Sequence, residues 1–243
     1  MIVSVGLERS AATPDVARIP GAPDLRLSLL AAGDMGPSGG DNARRDAWLQ
    51  RQGLDPGRVA LRRQTHSQRI AVVGRDSVLQ RDCEADGVVT ADPGVSPAVT
   101  VADCMPIFVQ DCRRNLRAVL HSGWKGTGIV AAALQLMRQQ WGTLATETAV
   151  VLGPCIGACC YRVDQTRAER FSARWGGDAV RRDASGSHYL DLRRANVAIL
   201  RDLGVPAITV ITDCTACNPD LGSYRRQGAA EFTRMIAVCI GEQ

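Results

Sequence analysis

Between Ser96 and Asp111 the chain carries its most apolar β-like run, SPAVTVADCMPIFVQD, and that run is broken at its centre by Asp103 and Cys104. A strand with apolar residues on both sides of the break must be buried in a sheet, yet an isolated Asp-Cys pair adds nothing to such a strand. Pro106 follows two residues later and disfavours a regular central ladder, because it has no N–H to donate. Local rules broken at one point mark a functional site. Around this run lie further strand-like segments separated by turns, RVALRRQ, RIAVVG, DGVVTAD and RNLRAVLHSGW. A short helix is expected from NARRDAWLQRQGL, closed by Gly53, after a turn-rich stretch, GDMGPSGGDN, at 33–42.

Beyond residue 120 helices and strands alternate. IVAAALQLMRQQWG, DQTRAERFSARWG and RRANVAILRDLGV have helical spacing, whereas TAVVLGP, HYLDL and AITVITDC read as strands. The tail, GAAEFTRMIAVCIGEQ, reads as helix or strand. Strands first and alternation later predict an α/β (α+β) fold in a single domain over residues 1–243, a layered sandwich of mixed sheets flanked by helices. Aliphatic residues must fill its core, since aromatics are only 4% of the 243 residues.

Composition narrows the partners. The net charge is +4, with arginines in scattered doublets and no block of like charge, so a nucleic-acid-binding arm is not indicated. Apolar stretches are interrupted by charge or glycine well before the ~18 residues of a membrane span. The N-terminus has no basic region before Glu8 and Arg9, so no export signal is expected. Nine cysteines are an odd number, and Cys159 and Cys160 are adjacent, a poor geometry for a structural disulfide. Reduced thiols in the cytoplasm are the expectation.

The chain has three histidines and one lysine. His66 precedes an apolar strand in RRQTHSQRI, and His121 ends one in AVLHSGWKGTG. With Cys104 they make a set of two imidazoles and one thiol, which suits Zn²⁺ with a fourth position for water or substrate. The spacings, 38 and then 17 residues, form no compact metal motif, so separate structural roles stay open. HSGWKGTG places Lys125 among Gly123, Gly126 and Gly128 between a strand and a helix, either an anion-binding turn or a plain connection. It lacks the Walker A spacing. Cys214-x-x-Cys217 is half a zinc ribbon without a second CxxC; it and the vicinal Cys159–Cys160 read as buried packing thiols. His188 reads as a turn or strand-start residue, and Arg225 and Arg226 as surface arginines or anion ligands.

RRQTHSQRI, EADGVVT, TVADCMPIFVQD, AVLHSGWKGTG, VLGPCIGACCYRV, LDLRRANVAILRDLGV and DCT followed by SYRRQG occur in this order. Together they resemble the bacterial YfiH-like proteins, long called laccase-domain or multicopper polyphenol oxidases and since described as zinc-dependent purine nucleoside phosphorylases. The match covers most of the chain from about residue 60, while the N-terminal third matches only through LRLSLLAAGD. The resemblance implies that His66, Cys104 and His121 are metal ligands and catalytic residues. It also implies phosphorolysis of adenosine, inosine and methylthioadenosine, together with adenosine deamination. Zn²⁺ is the implied cofactor and Cu²⁺ its rival. The expected partners are a purine nucleoside and phosphate, the latter held by Lys125 with the glycine loop or by Arg225, in a monomer or small homo-oligomer. The sequence departs from the family where Arg162 replaces a usual Glu, and where AAEFTR replaces the usual Thr-Gly-Arg after YRRQG. Asp103 is either a proton carrier or an orienter of its neighbour.

Three rival readings remain. Copper-dependent phenol oxidation in its multicopper form needs about ten imidazoles, far more than three. A metal-free hydrolase would use Cys104 as nucleophile with His121 or His66 as base. A structural zinc or binding protein would have no use for an open coordination position.

Overall fold

A computed structural model describes residues 1–36 and 42–242. Most of the turn-rich 33–42 stretch, residues 37–41, lies outside the described residues. In chain order the elements are β1 (Ile2–Val5), β2 (Glu8–Ser10), β3 (Thr13–Ile19), β4 (Ala22–Ser28), α1 (Ala43–Arg51), β5 (Val59–Ala60), β6 (Ile70–Val72), β7 (Gly87–Thr90), β8 (Ser96–Val101), β9 (Met105–Asp111) and β10 (Leu116–Ser122). They continue with α2 (Ile129–Trp141), β11 (Ala149–Leu152), β12 (Arg162–Val163), α3 (Gln165–Trp175), β13 (Val180–Arg182), β14 (His188–Leu190), α4 (Leu192–Asp202), β15 (Ala207–Ile211), α5 (Tyr224–Gln227) and β16 (Met235–Cys239).

Seven strands form one mixed sheet in the order β1-β15-β11-β9-β10-β7-β6, and six form a second in the order β2-β3-β4-β16-β8-β5. A small third sheet has the order β12-β14-β13. Side-chain alternation assigns the faces. On β9, Ile107 and Val109 join the apolar cluster that includes Val130, Met137 and Leu200 of α2 and α4 and Phe171 of α3. Phe108 between them joins Leu25, Leu27, Val99 and Val101 of the second sheet. The far face of that sheet, with Ile236 and Val238, is covered by Trp48 and Leu49 of α1. The layers therefore run helices, sheet, sheet, helix, the mixed α/β sandwich expected from the sequence.

The apolar run from Ser96 to Asp111 is two strands in two sheets. β8 belongs to the six-stranded sheet and β9 to the seven-stranded one, and the chain crosses between them at Ala102-Asp103-Cys104. Asp103 makes the corner with φ of 76°, a left-handed backbone uncommon outside glycine. Pro106 stands near the start of β9, before the stretch that pairs with β11. The tail resolves as strand β16, which lies between β4 and β8. RVALRRQ is strand only at Val59–Ala60, and the short α5 has no counterpart among the expected elements.

Candidate metal centre

The sheet crossover delivers Cys104 to the end of β10, where His121 and Ser122 pair with Pro106 and Met105. His66 comes from the loop before β6. The ligand atoms of His66, Cys104 and His121 all lie within 4.8 Å of one another. His121 is buried, Cys104 is partly buried and His66 is exposed, so the group is open on one side. The two imidazole rings meet edge to face, with centroids 4.9 Å apart.

Asp86, just before β7, organises this group and is the residue that sequence reasoning missed. Its buried carboxylate accepts from the Thr65, His66 and Ser67 backbone N–H groups at 3.1, 2.9 and 2.7 Å and from Ser67 Oγ at 2.7 Å. It also meets His121 Nδ1 at 2.8 Å. These bonds hold the His66 loop, where His66 itself has φ of 59°, against the His121 strand. Burial would raise the Asp86 pKa, but the bonds from His121, Ser67 and Thr65 hold it well below the ordinary carboxylate range. With Nδ1 engaged by Asp86, His121 turns Nε2 toward the thiol.

The thiol and imidazole exchange charge. Burial pushes the Cys104 thiol up, yet His121 and His66 pull it down to about 6. Burial opposes the charge on His121, which the Cys104 thiolate and Asp86 raise to about 9. Each group thus favours the charged form of the other. Gly123 admits this contact: a Cβ there would sit 2.7 Å from Cys104 Sγ. Gly126 packs against the Ser67 and His121 carbonyls and Gly128 against Trp175, so the glycines of HSGWKGTG serve close approach.

The group opens into a cavity of about 690 Å³. Trp124, Tyr161, Tyr224 and Phe232 supply aromatic surface, and Arg167 and Arg225 are among its cationic residues. Arg167 lies over the Trp124 ring, 4.8 Å from its centroid. Arg225 is fixed by donating to the carbonyls of Cys160 and Arg162 at 2.8 and 3.0 Å. Lys125 is exposed and is not part of the cavity wall; its ammonium stands 5.7 Å from the Trp124 ring centroid. Asp103 uses both oxygens, accepting from Thr215 Oγ1 and from the Arg225 N–H at 2.6 Å each, so it positions the wall beside Cys104. Arg162 turns its backbone, not its charge, to the site through that bond with Arg225. Nothing in the local sequence singles out Arg167, and the signal that could have found Asp86 is a charged residue just before an apolar strand.

His188 opens β14, outside the His66–Cys104–His121 group. The cysteines read as buried packing thiols behave otherwise. Cys159 and Cys217 are exposed, and both loops converge, with Cys155 and Cys214 forming a parallel bridge.

Over residues 34–241 the chain matches the family described as multi-copper polyphenol oxidoreductase laccase. A purine nucleoside phosphorylase of Mycobacterium tuberculosis is 35% identical over 176 residues, covering 72% of this chain and 69% of that protein. Adenosine deaminase RL5, from an unknown prokaryotic organism, is 34% identical over 190 residues, covering 72% of each chain. The crystal structure of YlmD from Geobacillus stearothermophilus superposes with a TM-score of 0.88 at 25% identity, over 98% of this chain and 99% of that one.

Proposed function

The chain belongs to the family described as multi-copper polyphenol oxidoreductase laccase, and from that premise we propose that it is a cytoplasmic, zinc-dependent purine nucleoside phosphorylase of adenosine, inosine and methylthioadenosine that also deaminates adenosine. The observation that carries this reading is the convergence of two imidazoles and a thiol at one place on the wall of an aromatic and cationic cavity. This donor set fits Zn²⁺: one sulfur and two nitrogens, one imidazole oriented by a carboxylate, and an open side. His66, Cys104 and His121 would hold the ion. When bound, it supplies Lewis acidity and lowers the pKa of water toward ~7.

The remaining chemistry falls to the chain. Phosphorolysis joins a phosphate oxygen to C1′ of the ribose while the C1′–purine bond breaks, so the cavity must hold an anion beside a flat heterocycle. Trp124, Tyr161, Tyr224 and Phe232 offer faces on which a purine stacks, an interaction worth ~1–3 kcal/mol per base. Arg225, immobilised by the two carbonyls and by Asp103, provides a fixed cation for phosphate, and Arg167 a second. Lys125 adds charge outside the wall. The phosphorylase and deaminase names of the relatives support one cavity serving both reactions, since both act on a purine nucleoside.

Cys104, His121 and Asp86 also form the nucleophile–base–acid order of a cysteine hydrolase. The second imidazole, His66, turned onto the same thiol, has no part in such a triad and favours a metal. Copper is opposed by the histidine count: only two of three imidazoles reach the centre, too few for a multinuclear cluster. To test the reading, adenine release from adenosine and phosphate is followed with metal content and phenol oxidation. His66→Ala and Cys104→Ala should each lose at least about 100-fold in rate. Unchanged rates, or full activity in metal-stripped protein, would sink it, and phenol turnover with bound copper would favour the oxidase.

A further inference from the structure

Well beyond Asp103 along the chain, a second group of soft ligands is assembled from two loops that the sequence keeps 54 residues apart, Cys159–Cys160 and Cys214-x-x-Cys217. We infer that Cys159, Cys160, Cys214 and Cys217 form a structural metal site that takes Zn²⁺ as a tetrathiolate. Their four sulfur atoms all lie within 4.8 Å of one another, with Cys160 to Cys217 at 3.3 Å and Cys159 to Cys217 at 3.6 Å. Those separations are far beyond a disulfide bond, and all four thiols are free. A tetrahedron with Zn–S of about 2.3 Å has sulfur–sulfur edges of about 3.8 Å, so the cluster needs only small adjustments to close on an ion.

The surroundings suit a dianionic centre. Binding one Zn²⁺ releases four thiol protons to solvent and leaves a net charge of −2. The Gly157 N–H already donates to Cys214 Sγ at 3.2 Å, and a Cβ on Gly157 would lie 3.1 Å from Cys159 Sγ. The CxxC turn is closed by the N–H groups of Cys217 and Asn218 on the Cys214 carbonyl. Four guanidinium groups gather on the two loops. Arg181 donates to the Ala158 carbonyl at 3.1 Å, Arg193 to that of Cys155 at 3.1 Å, Arg225 to that of Cys160 at 2.8 Å and Arg226 to that of Thr215 at 2.6 Å. Their charge offsets the dianion. The site would clamp together the loops that present Tyr161 and Arg225, a wall of the cavity described above.

The test separates this site from the first. His66→Ala/Cys104→Ala removes the only thiolate and one imidazole of the first group, so any zinc it retains belongs elsewhere. Wild-type protein grown with zinc should contain two equivalents per chain by plasma mass spectrometry, and the double variant one. Cobalt loaded into the double variant should give the thiolate charge-transfer and ligand-field bands of a tetrahedral four-sulfur site, lost again on adding Cys217→Ser. On wild-type protein, which needs no variant to fold, alkylation mapped by peptide mass should spare Cys159, Cys160, Cys214 and Cys217 until a chelator is added. A folded double variant without zinc, or four cysteines alkylated equally with and without chelator, would overturn the site, as would a disulfide among them. None of these readouts depends on phosphorylase activity.

Discussion

Asp86 accepts hydrogen bonds from three consecutive backbone N–H groups around His66 and from the ring of His121, so one carboxylate joins the loop that carries His66 to the His121 imidazole. Asp86→Asn keeps the shape but presents an amide N–H₂ where donors point. Zinc affinity, measured against a chromophoric chelator, should fall about 10–100-fold. The same centre sets a pH dependence. Between about 6 and about 9 the Cys104–His121 pair holds one proton, which a metal must displace. Affinity should therefore rise about tenfold per pH unit across that window, more steeply below it and not at all above it. A flat profile in the same competition assay would contradict this coupling of Cys104 and His121. Gly123→Ala would push a methyl into Cys104 Sγ. It should cost about 1–3 kcal/mol in denaturant unfolding and lose metal binding together.

At the scale of elements, the crossover from β8 to β9 links packing to the site. Phe108 on β9 points between the sheets with Val119 and Val151, while the corner just before β9 carries Asp103 and Cys104. Phe108→Ala should destabilise by about 3–5 kcal/mol in urea. Asp103→Ala acts differently, because it frees Thr215 and the N-terminus of α5 with Arg225. If Arg225 holds phosphate, KM for phosphate should rise more than kcat falls, and steady-state kinetics with varied phosphate reads the split. α2, α3 and α4 were legible because 3.6-residue periodicity and end signals agree: Asp164 and Asp191 cap α3 and α4, and Gly142 ends α2 in a left-handed conformation. α5 was not, since a four-residue turn has no periodicity to read.

For the whole molecule, β16 is the strand that closes the second sheet, with all five of its residues buried between β4 and β8. Deleting residues 235–242 should leave an insoluble or molten chain, seen as lost near-ultraviolet circular dichroism, because two edges would be exposed at once. The sequence alone determined the strands and helices whose apolar periods are strong and the mixed layered class, and it offered His66, Cys104 and His121 as a candidate set. It marked Asp103-Cys104 as a break, because a charge inside an apolar run violates a local rule that any reader of the chain can apply. Tertiary structure alone decided that the break is a passage between sheets, that Asp86 ties the two histidines, that Arg225 and not Lys125 lines the cavity, and that four cysteines converge. The reason is physical. Periodicity reports which side of an element meets water, whereas these contacts join residues tens of positions apart whose meeting depends on strand order and register, which no local pattern encodes.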